Sequence, residues 1–270
     1  MSTRMEEKPM SQPVPAISVE QVTKEYVDSS GATVKAMGPA DLTMRPGELV
    51  TVIGPSGCGK STLLHVIGGM IEPTHGAVQV EGRRLNGRPQ PDLVSFVFQD
   101  PSLFAWRTLV ENIELVLKFR GVPRDQRRRK ALAALERVGM GEYADRLPEE
   151  LSGGMRQRVA VARALAVEAP VMLMDEPFAA LDEQSRLAMG EDITRILEGA
   201  ERTVVMVTHS LSEAIYLADR VIVMSSSPGT ILSTIDVDEP RPRDPAFMLT
   251  PRFAELRNTL FQLLHPRSSR

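Results

Sequence analysis

Apolar and polar residues follow two different patterns along the chain, and the change falls near Gly47. Between Ile17 and about Met44 the apolar residues lack helical spacing, and Gly31 marks a turn, which predicts a small antiparallel sheet. After Gly47, short apolar runs alternate with stretches whose apolar residues recur about once per helical turn. Strands that alternate with helices favour a mostly parallel sheet covered on both faces, and therefore an α/β fold.

The second pattern can be resolved into individual elements. It predicts a strand that ends at Gly54, a helix that begins at Lys60, a strand at 94–98, helices at 109–119, 124–138 and 153–167, a strand at 171–174, a helix at 183–197, a strand at 203–207, a helix at 211–218, strands near 221 and 231, and a closing helix at 246–264. Residues 1–16 hold three prolines and few apolar side chains, so we expect a disordered tail there.

Composition and charge narrow the class of protein. The chain has 270 residues, 42% of them hydrophobic and 25% charged, which is typical of a globular protein. Since no stretch approaches the roughly 18 uncharged apolar residues that span a bilayer, any membrane role must come through a partner. A net charge of -3 gives no electrostatic pull toward nucleic acid, and we expect no nucleic-acid partner. The single cysteine cannot form an internal disulfide, and the N-terminus is polar, without the apolar core of a secretory signal peptide. Both features indicate a protein of the reducing cytoplasm.

A glycine-rich loop, GPSGCGKS at 54–61, lies between a predicted strand and a predicted helix and has Walker A spacing. Glycines let successive backbone N–H groups turn toward an anion, and the helix that follows adds the positive end of its dipole. A plain glycine-rich turn is the alternative interpretation, which the flanking strand and helix disfavour. The residues expected to contact a nucleoside triphosphate are Gly54, Pro55, Ser56, Gly57, Cys58, Gly59, Lys60, Ser61 and Thr62, with Lys60 on the β- and γ-phosphates and Ser61 on Mg²⁺.

Two carboxylates and a histidine end buried strands farther along the chain. The run VMLM leads into Asp175 and Glu176, and the run TVVMVT leads into His209. At the carboxyl edge of a parallel sheet, Asp175 would hold Mg²⁺ and Glu176 would deprotonate an attacking water. His209 could donate a hydrogen bond to a γ-phosphate, and the spacing of Ser210 and Glu213 predicts a capping box at the next helix. The alternatives are solvated loop acids and a structural histidine.

The segment LSGGM at 151–155 resembles the LSGGQ signature of ATP-binding-cassette proteins, with Met155 in place of the usual glutamine. Ser152 is placed to cap a helix, and Gly153 and Gly154 would expose backbone N–H groups to an anion. In isolation the segment could be an ordinary capped helix start. Together with the preceding motifs it indicates the ATP-binding subunit of a transporter of this family, with ATP and Mg²⁺ as cofactors.

The resemblance implies further roles and a domain plan. It implies that Tyr26 stacks on adenine, that Gln99 contacts Mg²⁺ and the transmembrane partner and takes part in catalysis, that Asp182 is the acid of the D-loop, and that His209 is the switch histidine. The ATPase domain is expected at 17–235, with an inserted helical subdomain at about 100–165 that carries the signature. Residues 236–270 are expected to form an extension that ends in a helix.

The family also implies partners. Two cassettes meet head to tail, so that Ser152 and Gly154 of one copy contact the ATP held by Lys60 of the other. The segments PSLFAWRTLVENI at 101–113 and RPRDP at 241–245 are similar to importers of the nitrate, sulfonate and taurine group, whereas residues 82–95 depart from that pattern. An importer implies a permease, an extracytoplasmic solute-binding protein and a position at the cytoplasmic face of a bacterial-type cell membrane. An exporter subunit and a non-transport cassette ATPase are the alternatives, while an unrelated P-loop kinase would leave the signature unexplained.

Overall fold

The computed structural model describes residues 14–179, 181, 183–197 and 202–266. Residues 1–13 of the predicted tail and Asp182 therefore lie outside the described residues. The chain is ordered one residue before Ile17, because Ala16 is buried and its N–H donates to the carbonyl of Met44 at 2.9 Å. Among the described residues, no helix has both the length and the apolar character needed to cross a bilayer.

Ten strands and seven α-helices make up the described fold. In chain order they are β1 (Ile17–Val27), β2 (Thr33–Met44), β3 (Leu49–Ile53), α1 (Lys60–Ile67), β4 (His75–Val80), β5 (Arg83–Arg84), β6 (Val94–Val97), α2 (Leu109–Phe119), α3 (Arg124–Arg137), α4 (Gly153–Ala166), β7 (Val171–Asp175), α5 (Glu183–Leu197), β8 (Thr203–Val207), α6 (Leu211–Leu217), β9 (Arg220–Met224), β10 (Ile231–Asp236) and α7 (Pro251–Leu264).

The strands form the two sheets that the sequence predicts. An antiparallel sheet has the order β2-β1-β4-β5, and a larger sheet has the order β10-β9-β3-β8-β7-β6. Every pairing in the larger sheet is parallel except that of β10 with β9. β3 and β7 are buried at every residue, as expected for strands covered on both faces. The α/β fold with an antiparallel N-terminal sheet is confirmed, and β4 and β5 extend that sheet beyond the predicted strands.

Helix α1 packs between the two sheets. Its residues Leu63, Leu64 and Ile67 share one apolar core with Ile17 of β1 and Leu173 of β7. On the other face of the parallel sheet, helices α2, α3 and α4 pack against one another, and α6 and α7 cover the remaining strands. Because β3, β7 and β8 are parallel, their carboxyl ends lie at one edge of the sheet, and α1 begins at that edge.

The closing helix predicted at 246–264 is wrong in one respect, because it is two elements. A 3₁₀ turn covers Pro245–Leu249, and α7 begins separately at Pro251. Thr250 has extended backbone, and its hydroxyl accepts a hydrogen bond from the N–H of Phe253 at 3.2 Å. A proline favours the first position of a new helix and disfavours helical backbone in the residue before it, which accounts for the break.

The segment after β10 is held firmly against α6. Arg243 is 7% exposed, and its guanidinium donates to the carbonyls of Ile215 at 3.0 Å and Tyr216 at 2.8 Å. Burial lowers the pKa of Arg243 to about 10. Phe253 and Leu256 of α7 belong to the same apolar core as α6. The described residues beyond 236, which are 237–266, thus continue the packed domain.

Candidate active site

The glycine-rich loop follows β3 and ends at the first residue of α1. Gly59 is the N-cap of α1 with a φ of 99°, and no side chain caps this helix end. A Cβ at Gly59 would lie 2.8 Å from the carbonyl oxygen of Ala36, so the close approach of β2 requires a glycine. Lys60 is 5% exposed, and its Nζ donates to the carbonyls of Gly54 at 2.9 Å and Pro55 at 3.0 Å. The loop therefore wraps around the lysine and leaves the first turn of α1 uncapped.

A cleft of about 400 Å³ lies in front of this loop. It brings together residues from five separate parts of the chain, which are Ala36, Ser56, Gly57, Gly59, Lys60, Ser61, Thr62, Gln99, Glu176 and His209. Most of the predicted nucleotide and catalytic residues thus line one cavity. Cys58 is buried beneath it, where burial raises the pKa of the thiol, and a Cβ at Gly54 would lie 2.8 Å from its Sγ. Cys58 fills space below the loop.

The two predicted carboxylates take different positions at the end of β7. Asp175 is 9% exposed and accepts a hydrogen bond from the hydroxyl of Ser61 at 3.1 Å. Burial raises the pKa of Asp175, and the Ser61 hydrogen bond opposes that shift. Glu176 has a φ of 45°, and its N–H donates to the carbonyl of Val207 at 3.0 Å. The turn to left-handed backbone at Glu176 directs the second carboxylate into the cleft, where the first does not reach.

Glu176 and His209 form a pair in the cleft. Nε2 of His209 lies 2.5 Å from Oε1 of Glu176, and their side chains are 45% and 17% exposed respectively. β7 and β8 are parallel neighbours, with Asp175 opposite Val207, so each strand releases its polar residue at the same edge. The geometry suits a carboxylate, that of Glu176, which accepts a proton, and an imidazole, that of His209, which holds the carboxylate in place.

The capping box predicted at 210–213 is half wrong. Ser210 does cap α6, because its hydroxyl accepts from the N–H of Glu213 at 3.3 Å. The N–H of Ser210, however, donates to the hydroxyl of Thr208 at 3.0 Å, and that hydroxyl donates to Oε2 of Glu213 at 2.5 Å. The Glu213 side chain is 4% exposed and faces Arg186, with Nε 3.2 Å from Oε1. Burial raises the pKa of Glu213, opposed by Thr208 and then by Arg186.

Thr208, Arg186 and Glu213 are residues near the site that the sequence analysis did not assign to it. They line a cavity of about 210 Å³ beside the cleft, together with Glu176 and His209. One signal was available, since Glu213 is the acidic residue of α6, a helix that is otherwise mostly apolar. A carboxylate there must either reach solvent or find a buried partner.

The signature segment lies away from the cleft. Ser152 is the N-cap of α4, and its hydroxyl accepts from the N–H of Met155 at 3.3 Å. Ser152, Gly153 and Gly154 line a second cavity of about 530 Å³, which we call the signature cavity. Among the residues that the structure describes, it has no lining residue in common with the cleft. Within a single chain, therefore, the two predicted phosphate-binding segments form separate surfaces.

Tyr26 lies near the end of β1, outside the cleft lining. Its ring is 42% exposed, and Nζ of Lys24 lies 5.1 Å from the ring centroid. In the sheet register Tyr26 is opposite Val34, two residues before Ala36, which does line the cleft. Tyr26 is thus accessible to a ligand, on a strand that pairs with the strand carrying Ala36.

The predicted Mg²⁺ ligands fit the ion in their chemistry. Ser61, Asp175 and Gln99 offer hydroxyl, carboxylate and amide oxygens, which are ligands that Mg²⁺ prefers. Among the described parts of the chain, no group of three or more His, Cys, Asp or Glu side chains could hold a metal by itself. Mg²⁺ usually keeps several waters and shares a nucleotide's phosphates, so a sparse protein ligand set is the expected one.

Comparison with known proteins places this geometry in one family. Residues 37–179 match the family model described as ABC transporter. The chain is 41% identical over 248 residues to the uncharacterized ABC transporter ATP-binding protein MJ0412 of Methanocaldococcus jannaschii, covering 92% of this chain and 91% of that protein. It is 39% identical to the taurine import ATP-binding protein TauB of Rhizobium johnstonii, covering 92% and 96%.

Two further similarities extend this comparison. The chain is 40% identical to the nitrate import ATP-binding protein NrtC of Synechococcus elongatus, covering 92% of this chain but 38% of that longer protein. Its fold is similar to a dimeric post-hydrolysis structure of the ATP-binding cassette MJ0796 with ADP and phosphate, with a TM-score of 0.73, 32% identity, and coverage of 83% and 100%.

Proposed function

This chain belongs to the ABC transporter family as an ATP-binding, ATP-hydrolysing subunit, and from that premise we propose that it powers the import of a small solute through a partner permease. The observation that carries the proposal is the cleft in which Lys60 and Ser61 face the Glu176–His209 pair. The names of the taurine and nitrate import relatives support import and suggest a small anionic or zwitterionic solute of that kind.

We assign the chemical step to residues of the cleft. Lys60 and the uncapped N–H groups of α1 bind the phosphates, and Tyr26 stacks on the adenine. Glu176 accepts a proton from water as the water oxygen bonds to the γ-phosphorus. The bond from that phosphorus to the β–γ bridging oxygen breaks, which releases ADP and inorganic phosphate. His209 orients Glu176 and donates to the γ-phosphate.

The metal is part of the same proposal. Ser61, Asp175 and Gln99 would hold Mg²⁺, which neutralises phosphate charge when it is bound. The Ser61–Asp175 hydrogen bond at 3.1 Å keeps two of these oxygens together. Asp182, the proposed acid of the D-loop, lies outside the described residues.

A second copy of the chain completes the site in this proposal. Ser152, Gly153 and Gly154 of one copy would contact the ATP that Lys60 of the other copy holds. Two observations support this arrangement: the separation of the signature cavity from the cleft within one chain, and the dimeric state of the related MJ0796 cassette. ATP would then favour the closed dimer because it binds that state better than the open one.

An apolar groove between β6 and the helical layer is our candidate for the permease contact. The groove has a volume of about 400 Å³, and its lining includes Phe96, Phe98, Phe104 and Phe119. Two aromatic side chains are strongly exposed there or nearby, Phe119 at 80% and Trp106 at 74%. Exposed aromatic clusters of this kind mark protein interaction sites. A contact with the permease would place the chain at the cytoplasmic face of the membrane.

The segment that carries Phe104 and Trp106 is held in place from inside the protein. The amide of the fully buried Asn112 accepts from the N–H of Phe104 at 2.8 Å and donates to the carbonyls of Phe104, Arg107 and Thr108 at 3.2, 3.1 and 2.9 Å. A rigid segment lowers the ordering cost of binding, which favours a preformed docking surface.

The test is to isolate the full chain from its native membrane and identify the accompanying proteins. We expect a permease and an extracytoplasmic solute-binding protein, and we expect Phe119→Glu to lose both while the isolated chain hydrolyses ATP normally. Phe261→Glu is the matched control, since Phe261 is 54% exposed on α7, outside the groove. A permease without a binding protein would indicate an exporter, and ribosomes or DNA would contradict the transport proposal.

A further inference from the structure

A continuous set of contacts within one chain leads from the signature cavity to the catalytic pair. It begins at Leu181, which lines the signature cavity. A Cβ placed on Gly154 would lie 3.1 Å from Cδ2 of Leu181, so the two residues are already in close contact. The carbonyl of Leu181 accepts a hydrogen bond from Nη2 of Arg186 at 3.0 Å. Two direct contacts therefore connect the signature segment to Arg186 through Leu181.

Arg186 in turn forms a partly buried ion pair with Glu213. Their side chains are 30% and 4% exposed, and Nε of Arg186 lies 3.2 Å from Oε1 of Glu213. Among the described residues neither of these two atoms has a hydrogen-bond partner, so charge alone joins them in this state. A buried pair without aligned hydrogen bonds recovers little of its desolvation cost. The geometry of the pair can therefore improve when α5 or α6 shifts.

The last contacts lie on both sides of His209. Thr208 donates to Oε2 of Glu213 at 2.5 Å, and the N–H of Ser210 donates to the Thr208 hydroxyl at 3.0 Å. The backbone before and after His209 is thus tied to one carboxylate. Arg186, Glu213 and Thr208 line the same small cavity as Glu176 and His209. Glu213 is therefore connected to the residues on both sides of His209, which contacts Glu176.

We propose that Arg186 and Glu213 are positioning residues that transmit contact between the signature surface and the partner's ATP to the His209–Glu176 pair of the same chain. This rests on the two-copy site proposed above. Closure against a partner would press on Gly154 and Leu181, draw Arg186 onto Glu213, and fix His209 for turnover. Each copy would then hydrolyse its own ATP efficiently only when its signature segment also contacts the ATP bound by the other copy.

A purely structural role for the ion pair is the competing explanation, and the chain offers a matched control. Glu48 and Arg220 also form a buried pair, with side chains 2% and 18% exposed and Nε 2.9 Å from Oε1. Glu48 precedes β3 and Arg220 begins β9, so this pair lies at the amino ends of the parallel strands, opposite the cleft. Glu48→Gln should therefore lower stability without a specific effect on turnover.

The experiment measures steady-state phosphate release and nucleotide affinity of the full chain for Glu213→Gln, Arg186→Gln, the double variant and Glu48→Gln. We expect kcat to fall about tenfold or more in each single variant while KM for ATP changes less than about twofold. The double variant should be no slower than the worse single variant, because residues in one network are not additive. Glu48→Gln should lower Tm about as much as Glu213→Gln does. Its kcat should stay unchanged once the rate is corrected for the fraction of folded protein.

A second measurement separates positioning from assembly. In a Glu176→Gln background, ATP should still drive dimer formation when Glu213→Gln is added, as judged by the mass in solution. Loss of the dimer, a change confined to KM, or a kcat equal to that of Glu48→Gln would overturn the proposal. Failure of the proposed ATPase mechanism would give a different result, because turnover by Glu176→Gln alone would remove Glu176 from its catalytic role. An inactive Glu176→Gln together with a fully active Glu213→Gln would refute only the positioning role of Arg186 and Glu213.

Discussion

Helices α1 and α4 both begin at a segment predicted to bind phosphate, yet their N-termini are built differently. α1 starts after Gly59, which leaves its first turn without a side-chain cap, and Lys60 at its first position is 5% exposed. α4 starts after Ser152, which is exposed and caps the N–H of Met155. The first helix end is thus embedded in the fold, and the second is presented on the surface.

The surroundings of the two helix ends differ in chemistry as well. The cleft at α1 contains Lys60, Glu176 and His209, with Asp175 behind it. In the signature cavity, Arg158 is the one charged side chain among the described lining residues. A helix end that can bind an anion but has no proton acceptor nearby cannot complete a hydrolytic site. The difference supports the proposal made above that the second surface serves a reaction centre supplied by another copy.

The largest expected effect comes from removing the proton acceptor of the first region. Glu176→Gln keeps the size of the side chain and a partner for His209, so we expect kcat to fall by about 10²–10⁴ while ATP affinity stays within about twofold. Phosphate release and equilibrium nucleotide binding are the measurements. Lys60→Ala is the contrasting variant, because it should lose nucleotide binding together with turnover. Undiminished turnover by Glu176→Gln would remove this residue from its proposed role.

Ser152→Arg tests the second region. A long charged side chain at the exposed cap would obstruct a partner's nucleotide, so we expect turnover to fall about 10²-fold or more, on the scale of losing a transition-state contact. Binding of ATP by the isolated chain should be nearly unchanged, since the signature cavity and the cleft have separate linings among the described residues. If this variant hydrolysed ATP at the normal rate, the site shared between two copies would be wrong.

Local sequence signals predicted the first region well. The glycine-rich loop follows an apolar run, and so do the two acids at the end of β7 and the histidine after β8. The topology of parallel strands then brings them to one edge. The break before α7 was also locally encoded, in Thr250 as a cap and Pro251 as the first helical residue. The prediction missed it because helical spacing continues across the break.

Contacts between distant segments could not be predicted in this way. The partner of Glu213 is Arg186 on another helix, and nothing in the sequence near either residue indicates the pairing. The capping-box spacing even favoured a different partner for Glu213, and the burial of α6 decided the outcome. β4 was missed for a related reason, because its stability comes from pairing with β1 far away in the chain. The periodicity of apolar residues shows which face of a helix or strand is buried. It does not show which other segment packs against that face.

The smallest expected effects come from one pair of matched glycine substitutions at the two helix ends. Gly59 has a φ of 99° and faces the Ala36 carbonyl, whereas a Cβ at Gly153 would meet nothing within 4 Å. Gly59→Ala should therefore cost about 1–3 kcal/mol of stability and weaken ATP binding about tenfold, because the strain acts on the phosphate loop.

Gly153→Ala should change stability by less than about 1 kcal/mol, in the stabilising direction, because alanine favours helical backbone. Thermal unfolding and nucleotide titration of the two variants measure both effects. Equal losses of ATP affinity in the two variants would show that the isolated chain already uses the signature helix to hold its own nucleotide, and the distinction between an internal site and a surface for a partner would fail.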